Sequence, residues 1–260
     1  MVKGLDLFRR RFAGRGRGFV LIGGAACHEW FARQALTFRA TKDLDLVVIV
    51  EALDDDFVHA FRAFVDDGAY QTRERFDGTP ELYRFSAPTQ PGFPHTLELF
   101  SRKPEGLELR VGQTVVPVDA TDAVNSLSAI LLDDDYYGVL QENAVELDGL
   151  PVATTSVLVP LKARAWLDLT ERQAGGERVD QRDIDKHRND VFRLAAIVPG
   201  EPVTLPPKVR DDVQRFLDAF PADHPSWAAI LSALSATFGR QLLRPVDLRS
   251  AVETHYRLKS

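Results

Sequence analysis

The stretch "RATKDLDLVV", residues 39–48, sets two acidic residues one position apart at the entrance to an apolar run. The uninterrupted aliphatic residues from Leu46 to Val50 read as a buried strand. In such a strand Asp43 and Asp45 leave the same face, with Cα atoms about 7 Å apart. Carboxylates that close repel each other, so the pair calls either for cations between them or for full solvation. What lies on either side in the chain decides between the two.

Upstream, "GFVLIGG" (residues 18–24) reads as a short buried strand ending in a glycine turn. A helix follows over "AACHEWFARQALTF", where Ala26, Trp30, Phe31 and Gln34 recur at helical spacing. A glycine turn that leads into a helix offers free N–H groups to an anion. In a dinucleotide-binding unit the acid closes the second strand, but here the acids open it. For Asp43 and Asp45 to reach Gly23 and Gly24, their strand must run antiparallel to the first, in a mixed sheet. Neither GxGxxG nor GK[ST] is present, so Rossmann and P-loop readings are poor.

An anion at a helix start, opposed by paired acids that hold hard cations, is the equipment of a nucleoside triphosphate site. Such a site often takes a third carboxylate from a neighbouring strand. Glu98 in "HTLELFS" is the candidate, because Leu97 and Leu99 would point to the opposite face. Glu108 in "LELRV" is the alternative, and either could instead be a solvent-facing strand residue.

The rest of the chain supports an α/β front half and a helical back half. "LDDDFVHAFRAFVDDG" (residues 53–68) has an apolar stripe of Phe57, Phe61, Phe64 and Val65, a capping Asp54 or Asp55, and Gly68 at its end. Residues 69–118 hold short strands punctuated by Gly and Pro. From about Asp122 helical spacing dominates, with helices expected over residues 122–140, 156–172 and 182–198 and two more after the proline-rich "PGEPVTLPP". Leu158, Leu161, Ala165 and Leu169 share one buried face. Lys162 follows Pro160 in what reads as a helix's first turn, where the dipole disfavours a cation unless an anion offsets it.

With 45% hydrophobic and 27% charged residues, the 260-residue chain can bury a sizeable core. A net charge of -6 argues against broad wrapping of nucleic acid. Arg9, Arg10, Arg11, Arg15 and Arg17 form a local basic cluster, read as a solvated segment or a phosphate-backbone contact. One cysteine, Cys27, leaves no internal disulfide and no CxxC site, so any metal ligands must be carboxylates. No run approaches the roughly 18 apolar residues of a membrane span, and the basic start lacks an apolar h-region. A cytoplasmic protein without membrane association is expected.

"LIGGAACHEW…RATKDLDLVV" resembles the first motif of the DNA polymerase beta-like nucleotidyltransferase superfamily, a glycine pair and then a DxD about one helix later. "VPLKARAWLDLTERQAGGERVDQRDIDKHRNDVFRLA" is similar to the carboxyl-terminal motif of the AbiEii/AbiGii toxin nucleotidyltransferases. The resemblance implies the α/β (α+β) nucleotidyltransferase fold: a catalytic domain over residues 1–120 with a mixed sheet, and a helical domain over 121–260 that contributes Lys162 and Asp190. It makes Gly23 and Gly24 the phosphate-side turn, and Asp43 and Asp45 the ligands of Mg²⁺ or Mn²⁺. Arg39 and Thr41 would shape the turn or touch phosphate, Lys162 would contact the triphosphate, and Asp190 would hold or orient a partner. Where the family often has an Arg-Asp or Lys-Asp pair, this chain has "KHRND", with His187 at the first acidic position.

The implied activity is metal-dependent transfer of a nucleoside monophosphate from an NTP to an acceptor. The family's toxins point to an RNA acceptor such as the tRNA 3′ end and to an antitoxin partner. The alternatives are a small-molecule acceptor, a noncatalytic nucleotide- or partner-binding module, and a dehydrogenase-like NAD binder.

Overall fold

The structure, a computed structural model, describes residues 2–15, 18–49, 52, 55–72, 82–101, 133–239 and 243–259. The chain divides into two compact units. The first comprises Met1–Glu29, Ala40–Leu132 and Ala144–Ala153, and the second Trp30–Arg39, Asp133–Asn143 and Thr154–Ser260. The sequence boundary near residue 120 falls outside the described residues, as do Glu108, Arg17, Asp54 and the expected strands at 107–118.

Among the described residues the first unit is built on a mixed sheet of seven strands. Its strands are β1 (Phe19–Ile22), β2 (Asp43–Val48), β3 (Gln71–Thr72), β4 (Leu82–Ser86), β5 (Thr96–Ser101), β6 (Ala144–Leu147) and β7 (Leu150–Ala153). They lie in the order β3-β4-β5-β2-β1-β7-β6. β1 and β2 are antiparallel, with Ile22 opposite Asp45, as the position of the acids requires. That polarity is incompatible with a parallel dinucleotide-binding unit. β2 and β5 run parallel, so the sheet is mixed.

Two helices of this unit, α1 (Leu5–Phe12) and α3 (Asp55–Gly68), pack together. Phe8 and Phe12 of α1 meet Phe57, Phe61 and Phe64 of α3 and Phe19 of β1 at ring-centroid distances of 5.5 to 6.2 Å. All six rings are fully buried. Strand alternation puts Phe19 on the same face as Leu44 and Leu46, so the aromatic cluster covers the face away from Asp43 and Asp45. The stripe of α3 follows its sequence reading. α1 does not: the basic amino-terminal segment contains a helix anchored by Leu5, Phe8 and Phe12.

Strands β6 and β7 lie within the stretch where helical spacing was expected to dominate. They form an antiparallel hairpin, Leu147 opposite Leu150, and β7 runs parallel to β1. Asp148 and Gly149 both have positive φ, 49° and 82°, which is the backbone of a two-residue type I′ turn.

The second unit is helical: α4 (Asp134–Glu142), α5 (Thr155–Ala174), α6 (Gln181–Ala195), α7 (Pro207–Asp218), α8 (Trp227–Phe238) and α9 (Pro245–Tyr256), with the last turn of α2 (Gly23–Arg33). Three helices rather than two follow the proline-rich stop. α5 packs on α6 and α7, and α6 on α8 and α9. Leu158, Leu161, Ala165 and Leu169 are buried as their spacing indicates. α5 begins at Thr155, so Pro160 and Lys162 lie beyond its first turn and the dipole argument for Lys162 does not apply. Pro160 has no N–H to give the Ser156 carbonyl, and the buried Tyr256 hydroxyl donates to that oxygen instead, at 2.9 Å.

Candidate functional site

Ile22 is followed by Gly23, the first residue of α2, so strand becomes helix with no intervening loop. Gly23 takes φ +64°, a left-handed conformation that costs glycine little. A Cβ there would lie 1.8 Å from Asp45 Oδ2 and 2.7 Å from its Cγ. The Asp45 carboxylate therefore sits directly against the start of α2, in space that only glycine leaves open. A Cβ on Gly24 would come within 2.8 Å of the Thr41 hydroxyl oxygen. The glycine pair is thus part of the helix's first turn rather than a turn ahead of it. It lets Asp45 and Thr41 approach the helix start, where N–H groups have no partner within the helix.

The third carboxylate comes from pairing. In the parallel β2–β5 ladder Asp45 is opposite Glu98 and Asp43 opposite Thr96. In the antiparallel β4–β5 ladder Arg84 is opposite Glu98. One row across four strands therefore reads Arg84, Glu98, Asp45, Ile22, with Asp43 one step along the same face. Glu98 is 4% exposed and its Oε1 lies 3.3 Å from Arg84 Nε. Burial, then the Asp45 charge, push the Glu98 carboxyl well above its ordinary range. Arg84 opposes the shift, while Asp43 and a hydrogen bond with Asp45 add to it. Asp43 and Asp45 are half-buried, and Lys42 is exposed, as alternation places it.

All three acids offer hard oxygen ligands on one sheet face, and their mutual repulsion is the condition a divalent cation relieves. On donor chemistry the set fits Mg²⁺ or Mn²⁺. As the side chains stand, no group of three His, Cys, Asp or Glu side chains able to hold an ion is present among the described residues.

Lys162, Asp190 and Arg39 come together in the second unit. Asp190 is fully buried on α6. Arg39 grips it with both Nε (2.9 Å to Oδ1) and Nη2 (2.6 Å to Oδ2). Arg193 donates to Oδ1 at 2.9 Å, and Lys162 Nζ stands 3.7 Å from Oδ2. Burial alone would raise the Asp190 carboxyl, but Arg39, Lys162 and Arg193 outweigh it and hold the group well below the usual carboxylate range. Asp190 is therefore a core group whose cationic partners come from three segments.

One residue of the row, Arg84, escaped the sequence reading. Arg84 occupies an alternating strand, "ELYRFSA", and its pairing partner is invisible without the β4–β5 register. His187 is buried beside the Asp190 cluster, and among the described residues neither of its ring nitrogens has a hydrogen-bond partner. In the basic cluster Arg9 is engaged structurally, bonding the Leu147 carbonyl at 3.0 Å and pairing with Glu29 at 2.9 Å, while Arg10 and Arg15 are exposed. Among the described residues no helix is long and apolar enough to cross a membrane.

No protein-family model matches this chain, and no curated protein does. Among solved structures, an antigenic nucleotidyltransferase-like protein from Paracoccidioides brasiliensis is similar over 90% of this chain and 94% of that one. The two share 14% identity at a TM-score of 0.44, a likeness that bears on neither activity nor substrate.

Proposed function

We propose that the acidic face of the sheet is a metal-dependent nucleotidyl-transfer centre. The observation that carries this reading is the row in which Asp45 faces Glu98 on one side and abuts Gly23 at the start of α2 on the other. It joins an acid cluster to a helix start, the combination suited to a triphosphate and its cations.

In the reaction an acceptor hydroxyl oxygen bonds the α-phosphorus of an NTP, the bond to the bridging oxygen of the β-phosphate breaks, and pyrophosphate leaves with its electron pair. Asp43, Asp45 and Glu98 would hold divalent cations, which would supply neutralisation of the phosphate charge, and one of the three would offer a carboxylate oxygen to the acceptor's proton. Gly23 keeps the approach to the helix start open, and Gly24 and Thr41 shape it. In the second unit Lys162 is the proposed phosphate contact; Asp190 fixes the Arg39 rotamer by charge-assisted hydrogen bonds and holds Lys162 by charge alone. The resemblance to the toxin nucleotidyltransferases makes an RNA 3′ end, such as that of tRNA, the acceptor, and an antitoxin the restraining partner.

The test is incubation of the protein with Mg²⁺, each α-labelled NTP in turn and total RNA, alongside Asp43→Ala. Label in a tRNA-sized band that disappears in the variant is expected. Label in a small-molecule extract instead redirects the acceptor. A second reading, a noncatalytic nucleotide- or partner-binding module, draws on the absence of three converged metal ligands among the described residues. It predicts NTP binding that survives Asp43→Ala, with no label in any acceptor.

A further inference from the structure

His187 lies on α6, three residues before Asp190, with 7% of its surface exposed, and neither Nδ1 nor Nε2 has a hydrogen-bond partner among the described residues. A buried imidazole normally makes at least one hydrogen bond, because leaving donor and acceptor unmet forfeits water's bonds without replacement. The obvious local acceptor cannot serve, since both Asp190 oxygens are taken by Arg39 and Arg193. The surroundings are cationic. Lys162, Arg39 and Arg193 converge on the single Asp190 carboxylate. Burial first, then Lys162 and Lys186, push the imidazole well below its ordinary basicity, so at neutral pH it is uncharged with one N–H to donate. Lys162 Nζ, at 3.7 Å from Asp190 Oδ2, is beyond hydrogen-bond length from that carboxylate. An anion rich in oxygen acceptors would satisfy the ammonium and the imidazole N–H together.

We propose that His187 donates its N–H to a phosphate oxygen of a polyphosphate anchored by Lys162, making His187 a binding residue of the second unit. The inference deepens the reading above and rests on it for the identity of the anion, a nucleotide's polyphosphate or the pyrophosphate released from it. A neutral donor there gives the phosphate a directional hydrogen bond without another positive charge beside Arg39, Lys162 and Arg193, where a fourth cation would be repelled.

The experiment is calorimetric titration of the full chain with pyrophosphate, without divalent cations, in the Asp43→Asn background. That background separates this anion site from the carboxylate site. Tight binding in the parent, weakened about tenfold or more by His187→Phe, is expected from the loss of a hydrogen bond to a charged group. The phenyl ring fills the same space with no polar atom to satisfy, so the thermal midpoint should hold or rise. A structural role for His187 would instead lower it. Nitrogen-15 spectra of histidine-labelled protein provide the second readout, independent of that variant's folding: the His187 resonances should move on adding pyrophosphate. Affinity unchanged within twofold in folded His187→Phe, unmoved His187 resonances, or no pyrophosphate binding by the parent would each overturn the inference. None of these touches the labelling assay, whose failure would instead remove the nucleotidyl-transfer reading.

Discussion

Replacing Glu98 by glutamine should stabilise the cation-free protein at neutral pH. Glu98 faces Asp45 across β2–β5, about 5 Å away as register partners are, with Asp43 roughly 7 Å off on the diagonal. At an effective dielectric of about 20 these two charges cost a carboxylate there about 3.3 and 2.4 kcal/mol. The Arg84 guanidinium, at 3.3 Å, returns about 5 kcal/mol. The sum is roughly 1 kcal/mol against the charged form, and burial adds to it. The amide removes the charge at nearly constant shape, so a gain of about 1 to 2 kcal/mol follows, or about 2 to 6 °C in thermal midpoint for a chain of this size. Because the folded carboxyl titrates above its unfolded value, protonated Glu98 is the stable form: its contribution is complete below about pH 4.3 and is lost as pH rises through the raised folded value. The advantage of the variant should therefore vanish at acid pH and appear toward neutrality. Differential scanning calorimetry in chelator at both pH values measures it. Added Mg²⁺ should raise the wild-type midpoint more than the variant's. A variant less stable than wild type at pH 7 in chelator would refute the reasoning, because it would mean that the Arg84 pair outweighs the crowding of three acids.

Gly23→Ala should lower the thermal midpoint and abolish Mg²⁺-dependent nucleotide binding, since its Cβ would fall 1.8 Å from Asp45 Oδ2. Gly14→Ala is the control, because it also has positive φ but nothing within 4 Å, and should cost only about 1 to 2 kcal/mol of backbone strain. Tyr256→Phe strands the Ser156 carbonyl that Pro160 cannot serve and should cost about 1 to 3 kcal/mol in urea unfolding. His187, titrating below its unfolded value, contributes stability that is present above about pH 6.5 and lost as pH falls below it, by up to about 1.4 kcal/mol per pH unit. His187→Phe should flatten that slope when unfolding is compared at pH 7 and pH 5.5.

The polarity of β2 could be read from the sequence because two acids at the start of an apolar run say which end of the strand is polar, and only an antiparallel partner brings that end to Gly23. Glu98 was legible for the same reason, through alternation with Leu97 and Leu99. The β6–β7 hairpin was not, since four-residue strands leave too short a window for a period of two to stand out, although "DG" at 148–149 was the available signal. Asp190 could be singled out but its burial could not be read, because i,i+3 charge pairs on a polar helix describe a solvated face equally well. Its decisive partner, Arg39, lies 151 positions away, and no local pattern contains it.

The parallel pairing of β2 with β5 also bears on how the protein is made. Asp45 and Glu98 are 53 positions apart, so the acid row forms only after the chain has closed a long loop through α3, β3 and β4, a slow class of folding event. A slip of one residue in that ladder would turn Glu98 to the aromatic-covered face and bring Leu97 or Leu99 beside Asp45. Burying the acid there is prohibitive, so the wrong register penalises itself. The same residues that concentrate charge at the sheet's acidic face thereby act during folding as a proofreading mark, rejecting misaligned chains before the site exists.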